Sequence, residues 1–200
     1  MTALAAAWTI VIPVKGTSGA KSRLGASQPL ALAIALDTVA ATVSAAAAVA
    51  RVIVVTPSEG EAPFLALGAT IVADPGGGLA AAISSGLAAA HGPTGVLLGD
   101  LPALRPDELS AALSMAAAHP RAMVPDAAGV GTVLITAQDA RAHSPAFGPN
   151  SHALHLAAGY VGLAVDAASG LRRDVDTRAD LAALAGRLGP RTRALLPPGA

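Results

Sequence analysis

The chain contains no cysteine, which excludes disulfides, thiolate metal sites and cysteine nucleophiles. Aromatic residues make up only 2% of it. Its core must therefore be built from closely packed Ala, Val, Leu and Ile. A purine would be gripped by backbone groups and aliphatic side chains, since few rings are available for stacking. Charged residues are 13% and the formal net charge is zero, with a pI near 7.0. Nothing there suggests a nucleic-acid or acidic membrane surface as a partner. The opening MTALAAA lacks the basic start of a signal peptide, and Pro13 and Lys15 break the first apolar run. The alanine-rich segment 39–50 is too short to span a bilayer. A cytoplasmic protein is the expectation.

What is present is apolar and regular. Two hundred residues, 53% of them hydrophobic, suit one domain over 1–200. Strands are predicted at Ile10–Val14, Val52–Thr56, Thr70–Ala73, Gly95–Leu98, Ala122–Pro125, Thr132–Thr136 and Gly162–Val165. Between the early ones lie alanine- and leucine-rich helical segments at 28–48, 60–67, 79–90 and 107–118. Alternation of apolar strands with helices predicts an α/β fold, a mostly parallel sheet covered on both faces. The region 120–165 is less regular, with room for antiparallel strands and a segment that covers substrate. The tail after Pro190 reads as loose.

The chemistry gathers in three polar clusters that such a sheet would bring to the carboxyl ends of its strands. The first is Lys15 to Arg23, just after the first strand. It carries Gly16, Gly19 and three cations, Lys15, Lys21 and Arg23. Glycine lets backbone N–H groups approach a phosphate, and the cations neutralise it. A Walker A loop is excluded, because it needs four residues between its glycines and the second directly before Lys-Ser/Thr, whereas Gly16 and Gly19 are closer and Ala20 separates Gly19 from Lys21. An ordinary strand–helix loop with solvated lysines is the plain alternative. The second cluster is Gly99-Asp100-Leu101-Pro102, and the third is Asp174-Val175-Asp176-Thr177. Either acid would serve as a turn or helix cap. Taken with the basic loop, they offer hard oxygen ligands for Mg²⁺ beside cations for a polyphosphate, which is equipment for nucleotidyl transfer. His152 and His155 would share a helix face, but two histidines without a third ligand read as surface or supporting residues.

VIPVKGTSGAKSRL, GDLPAL at 99–104, the Gly-x-Gly-Thr of 129–132, FGPNS with His155 at 147–155 and DVDTRADL at 174–181 follow one another in order. Together they resemble the phosphoenolpyruvate or 2-phospho-L-lactate guanylyltransferases of coenzyme F-420 biosynthesis, from about residue 9 to 184. The resemblance implies a Rossmann-like nucleotidyltransferase fold. It implies that Asp100 and Asp176 hold Mg²⁺, and that Lys15, Lys21, Arg23 and Asp100 act in catalysis. It implies that Pro13, Val14, Lys15, Gly16, Lys21, Arg23, Gly78 and Leu79 bind the nucleotide, and that Thr132, Gly148 and Ser151 bind a three-carbon phosphorylated acid. GTP and phosphoenolpyruvate would give enolpyruvoyl-diphospho-guanosine and pyrophosphate, the unstable product passing to the next enzyme. The acceptors 2-phospho-L-lactate and 3-phosphoglycerate stay open, as does a silent nucleotide-binding protein. Relatives usually carry Gly-Leu-Asn where this chain has Gly78-Leu79-Ala80, a second threonine at 130, and proline at 178.

Overall fold

A computed structural model describes residues 7–14 and 27–197. The sheet has seven strands in the order β3-β2-β1-β4-β6-β5-β7. These are β1 (Trp8–Pro13), β2 (Val49–Thr56), β3 (Thr70–Ala73), β4 (Thr94–Leu97), β5 (Arg121–Pro125), β6 (Thr132–Ala137) and β7 (Val161–Gly162). β1 pairs parallel with β2 and β4, and β2 with β3. β6 alone is reversed, antiparallel to both β4 and β5, while β7 runs parallel to β5. The mostly parallel α/β sheet expected from the apolar runs is present, and the reversed strand falls in the less regular region.

Helices cover the sheet: α1 (Gln28–Ser44), α2 (Ala62–Leu65), α3 (Leu79–Ala88), α4 (Pro106–Ala116), α5 (Ser151–Ala157), α6 (Arg178–Ala183) and α7 (Pro190–Ala194). One face buries Ile10, Ile12, Val54 and Leu97 with Val39 of α1 and Leu109 and Leu113 of α4. The other buries Val11, Ile53, Val55 and Val96 with Ile83 of α3. Strands buried on both faces read as continuous apolar runs, and these do. A Cβ on Gly86 would run into Val11 and Val55, so glycine there lets α3 lie close on β1 and β2. Among the described residues no helix is long and apolar enough to cross a membrane.

Three segments depart from the sequence-based expectation. α1 stops at Ser44 rather than 48, although alanine favours helix. The sheet overrides that propensity: Trp8 N–H donates to Ala48 O at 2.9 Å, and β2 begins at Val49, three residues early. β7 is two residues long rather than four, because the chain is drawn off the ladder where Val165 O accepts from Arg172 Nη1 at 2.9 Å. The segment after Pro190 is a docked helix and not a loose tail. Asp37 of α1 accepts from the backbone N–H groups of Arg191 and Thr192 at 3.2 and 2.8 Å. It thereby caps α7 from a distant element, and a Cβ on Gly189 would strike the Asp37 carboxylate.

Candidate functional site

The strand directions bring several of the described sequence-predicted residues to one edge. The carboxyl ends of β1 to β5 lie there, with Pro13-Val14, the segment from Asp74 to Gly78, the turn at Asp100, and Asp126. β6 runs backwards, so its first residue, Thr132, lies at the same edge. That edge is where an open parallel sheet binds ligands.

Pro13 is buried and Val14 is fastened by its N–H to Val55 O at 2.8 Å. Lys15, Gly16, Lys21 and Arg23 lie outside the described residues. Gly76, Gly77 and Gly78 all have positive φ, at 78°, 83° and 86°. Only glycine adopts this run without strain, and it delivers the chain to Leu79 at the start of α3. Gly76 N–H donates to Asp74 Oδ1 at 2.9 Å, closing the turn.

The two acidic clusters meet. Thr38 of α1, fully buried, accepts from Leu101 N–H at 3.0 Å and so holds the Asp100 turn. Val175 N–H donates to Asp100 O at 3.0 Å, lacing the 174–176 segment to that turn. Asp174 registers the result. Burial, then the negative charges of Asp100, Asp176 and Asp126, push its carboxyl up to about 7. Neither Asp100 nor Asp176 is the N-cap residue of α4 or α6. At α4 the Arg105 N–H donates to Glu108 Oε2 at 3.0 Å, and Thr177 and Asp180 form the capping box of α6. A cavity of about 270 Å³ opens beside these acids, lined by Asp126, Arg173, Asp174, Asp176 and Asp180 among others. Among the described residues no three His, Asp or Glu side chains form a ready-made metal cage.

Two acids here were not singled out from sequence as ligands. Asp174 could have been, since it alternates with Asp176 on an extended segment. Asp126 carried no signal. Its carboxylate accepts from Val130 and Gly131 N–H at 3.0 and 2.7 Å and forms the turn that enters β6.

The three residues expected to hold the acid are grouped around α5. Ser151 is its first residue and is buried. Asn150 is the N-cap, in a left-handed conformation at φ 58°. Gly148 sits at φ 130°, with open space where a Cβ would stand. Thr132 is 3% exposed. Its Oγ1 is 3.0 Å from His155 Nδ1 and 3.8 Å from Met123 Sδ, so the hydroxyl is tied into the interior. His152 Nδ1 meets Gly129 O at 2.6 Å, docking α5 on the turn before β6. Both histidines therefore carry structure, and neither is placed to bind a metal with the other.

The arrangement is a sheet edge with clustered carboxylates at one point and small, hydroxyl-bearing residues at another. Residues 18–180 match the MobA-like NTP transferase domain. A phosphoenolpyruvate guanylyltransferase of Streptomyces coelicolor is 49% identical, over 94% of this chain and 95% of its own. Among solved structures, a nucleotidyl transferase from Methanothermobacter thermautotroptrophicus superposes with a TM-score of 0.64 at 23% identity, over 89% of this chain and 95% of that one. A Mycobacterium tuberculosis protein crystallised in complex with manganese gives 0.58 at 21% identity, over 90% and 98%. At that identity the structures speak for the fold. The sequence match does more, running nearly end to end in both chains, and this chain belongs to the phosphoenolpyruvate guanylyltransferase family, within the MobA-like NTP transferases.

Proposed function

We propose that the chain joins GTP and phosphoenolpyruvate to give enolpyruvoyl-diphospho-guanosine and pyrophosphate. The observation that carries this is the convergence of Asp100, Asp174 and Asp176 on the ligand-binding edge, in a chain nearly half identical to enzymes bearing that name. Lys15, Lys21 and Arg23 line the triphosphate, with Pro13, Val14, Gly16, Gly78 and Leu79 around the nucleoside and phosphates. Thr132, Gly148 and Ser151 shape the pocket for the acid.

The acidic cluster fits a divalent cation by its chemistry. Its donors are hard oxygens, and burial together with their mutual repulsion raises Asp174. Mg²⁺ typically takes only one or two protein carboxylates and fills its shell with water and substrate phosphates, so the lack of a preformed cage among the described residues is compatible with it. Asp100 and Asp176, with Asp174 beside them, would hold it. Bound there, it would neutralise charge on the α- and β-phosphates.

A phosphate oxygen of phosphoenolpyruvate attacks the α-phosphorus of GTP. The new P–O bond forms as the bond to the β-phosphate oxygen breaks, and that electron pair leaves with pyrophosphate. No protein nucleophile is needed, because the acceptor is already an anion. The basic loop stabilises charge on the departing group, and the acceptor residues supply alignment. A pyrophosphate-release assay crossing GTP, ATP and CTP with phosphoenolpyruvate, 2-phospho-L-lactate and 3-phosphoglycerate tests this. Release should be fastest with GTP and phosphoenolpyruvate. Preference for another pair would reassign the substrates, and no release with any pair would make the chain a silent nucleotide-binding protein.

A further inference from the structure

His155 has no exposed surface, a setting that a leucine would fill without any polar group to satisfy. Instead both ring nitrogens are used. Ala146 N–H donates to Nε2 at 2.9 Å, which leaves the proton on Nδ1. That N–H faces Thr132 Oγ1 at 3.0 Å. Burial holds the ring neutral by lowering its pKa to about 4, so this tautomer persists at neutral pH.

The ring is also locked against rotation. Phe147 meets it edge-on at 5.1 Å between centroids, and Tyr160 at 5.3 Å. Tyr160 is fixed in turn, its hydroxyl accepting from Ser144 N–H at 2.8 Å and lying 3.2 Å from His143 Nδ1. His143 Nε2 is anchored on Thr94 O at 3.0 Å. One side chain thus meets every element that carries an acceptor residue. Thr132 is bonded to it directly, Gly148 follows two residues after Ala146, and Ser151 lies one turn earlier on the same helix.

We propose that His155 is the positioning residue of the acceptor pocket. Its two hydrogen bonds hold the start of β6, the 146–148 segment and α5 in one registration. The proposal rests on the assignment of the acid to Thr132, Gly148 and Ser151. His155 touches no substrate and does no proton transfer. It sets the distance between the groups that do the holding. A merely structural histidine would lower stability without separating the two substrates.

The test uses the full chain and three variants. His155→Phe keeps a ring and loses both bonds. In His155→Asn the amide nitrogen replaces Nδ1 and keeps the donation to Thr132. In His155→Gln the amide oxygen replaces Nε2 and keeps the acceptance from Ala146. His155→Phe should raise KM for phosphoenolpyruvate about tenfold, the scale of one lost buried hydrogen bond. KM for GTP should stay within about twofold, and at least one amide variant should recover most of the loss. Thr132→Val and Ser151→Ala are measured alongside. If they raise KM for the acid and no His155 variant does, the proposal fails while the pocket stands. If they are silent, the pocket assignment itself fails. Should His155→Phe not fold, the two amide variants and the bonded Nδ1–H proton resonance of the wild-type ring decide. That resonance should shift on adding phosphoenolpyruvate but not GTP. Equal rises in both KM values, or no shift with the acid, would overturn the proposal.

Discussion

The part of the sheet made by β3, β2, β1 and β4 is held by aliphatic side chains. The part made by β6, β5 and β7 adds buried polar groups and rings to an aliphatic core of Met123, Val124, Leu134 and Ile135. In the first, Val11, Ile12, Ile53 and Val54 are fully buried, and the chief side-chain tie is Thr38 gripping the Asp100 turn. In the second, His143, Tyr160, His155, Phe147 and Thr132 form a connected cluster, with Arg121 5.2 Å over the Tyr160 ring. Two of the chain's four aromatics, Phe147 and Tyr160, lie in this cluster, while Trp8 and Phe64 are buried among the aliphatics of the first part. Dispersion between aliphatics is tolerant of small shifts. Hydrogen bonds and ring edges are not. The nucleotide side can rely on backbone and charge, while a three-carbon acid offers few atoms to grip and needs its pocket fixed in place.

The comparison can be broken first at the acids, where the largest effect is expected. Asp100→Asn and Asp176→Asn should each lower turnover by orders of magnitude with the fold retained, read as pyrophosphate release and circular dichroism. Near-normal metal-dependent activity in either would make that residue a turn acid only.

A second effect separates the two parts by pH. His143 and His155 both have pKa values lowered to about 4 by burial, against 6.5 in an exposed ring. Between those values the unfolded chain binds protons that the folded chain refuses. Stability is therefore full above about pH 6.5, falls as pH drops toward 4, and falls no further below that from these rings. Each ring should cost about 2–3 kcal/mol by pH 4.5. Asp174, raised to about 7, acts in the opposite direction over the same range. Urea unfolding of Asp174→Asn at pH 7 and 4.5 isolates the histidines. A flat response there would mean that the cluster is open to water.

On the nucleotide side, Lys15→Ala should weaken GTP binding by about 1.5–3 kcal/mol, the worth of a charge-assisted contact. Unchanged affinity in Lys15→Ala and Arg23→Ala alike would move the triphosphate elsewhere. The smallest effect concerns neither substrate. Asp37→Ala should cost about 1–2 kcal/mol of stability by uncapping α7, with KM values unaltered. No change in Tm would mean that the segment after Pro190 is not docked.

The aliphatic half was legible in the sequence because each of its elements is a local pattern. Apolar runs located all of its strands, and the motifs GDLPAL and DVDT named acids that the fold does bring side by side. The chain's only two lysines, Lys15 and Lys21, marked the basic loop. The polar half was not legible in the same way. His155 and Thr132 are 23 residues apart and His143 reaches back to Thr94, so no window of sequence contains both partners. Asp126 and Thr38 were invisible for the same reason, since each serves a turn rather than a motif. The docking of α7 depended on Asp37, 155 residues before Thr192.

The central claim is that one sheet edge divides into a nucleotide side and an acceptor side. Its most direct measurement is a crossed set of Michaelis constants for Lys15→Ala and Ser151→Ala, each against GTP and phosphoenolpyruvate. Lys15→Ala should raise KM for GTP with little effect on the acid, and Ser151→Ala should do the reverse. If both variants raise both constants together, or Ser151→Ala lowers stability alone, the edge is not divided in this way.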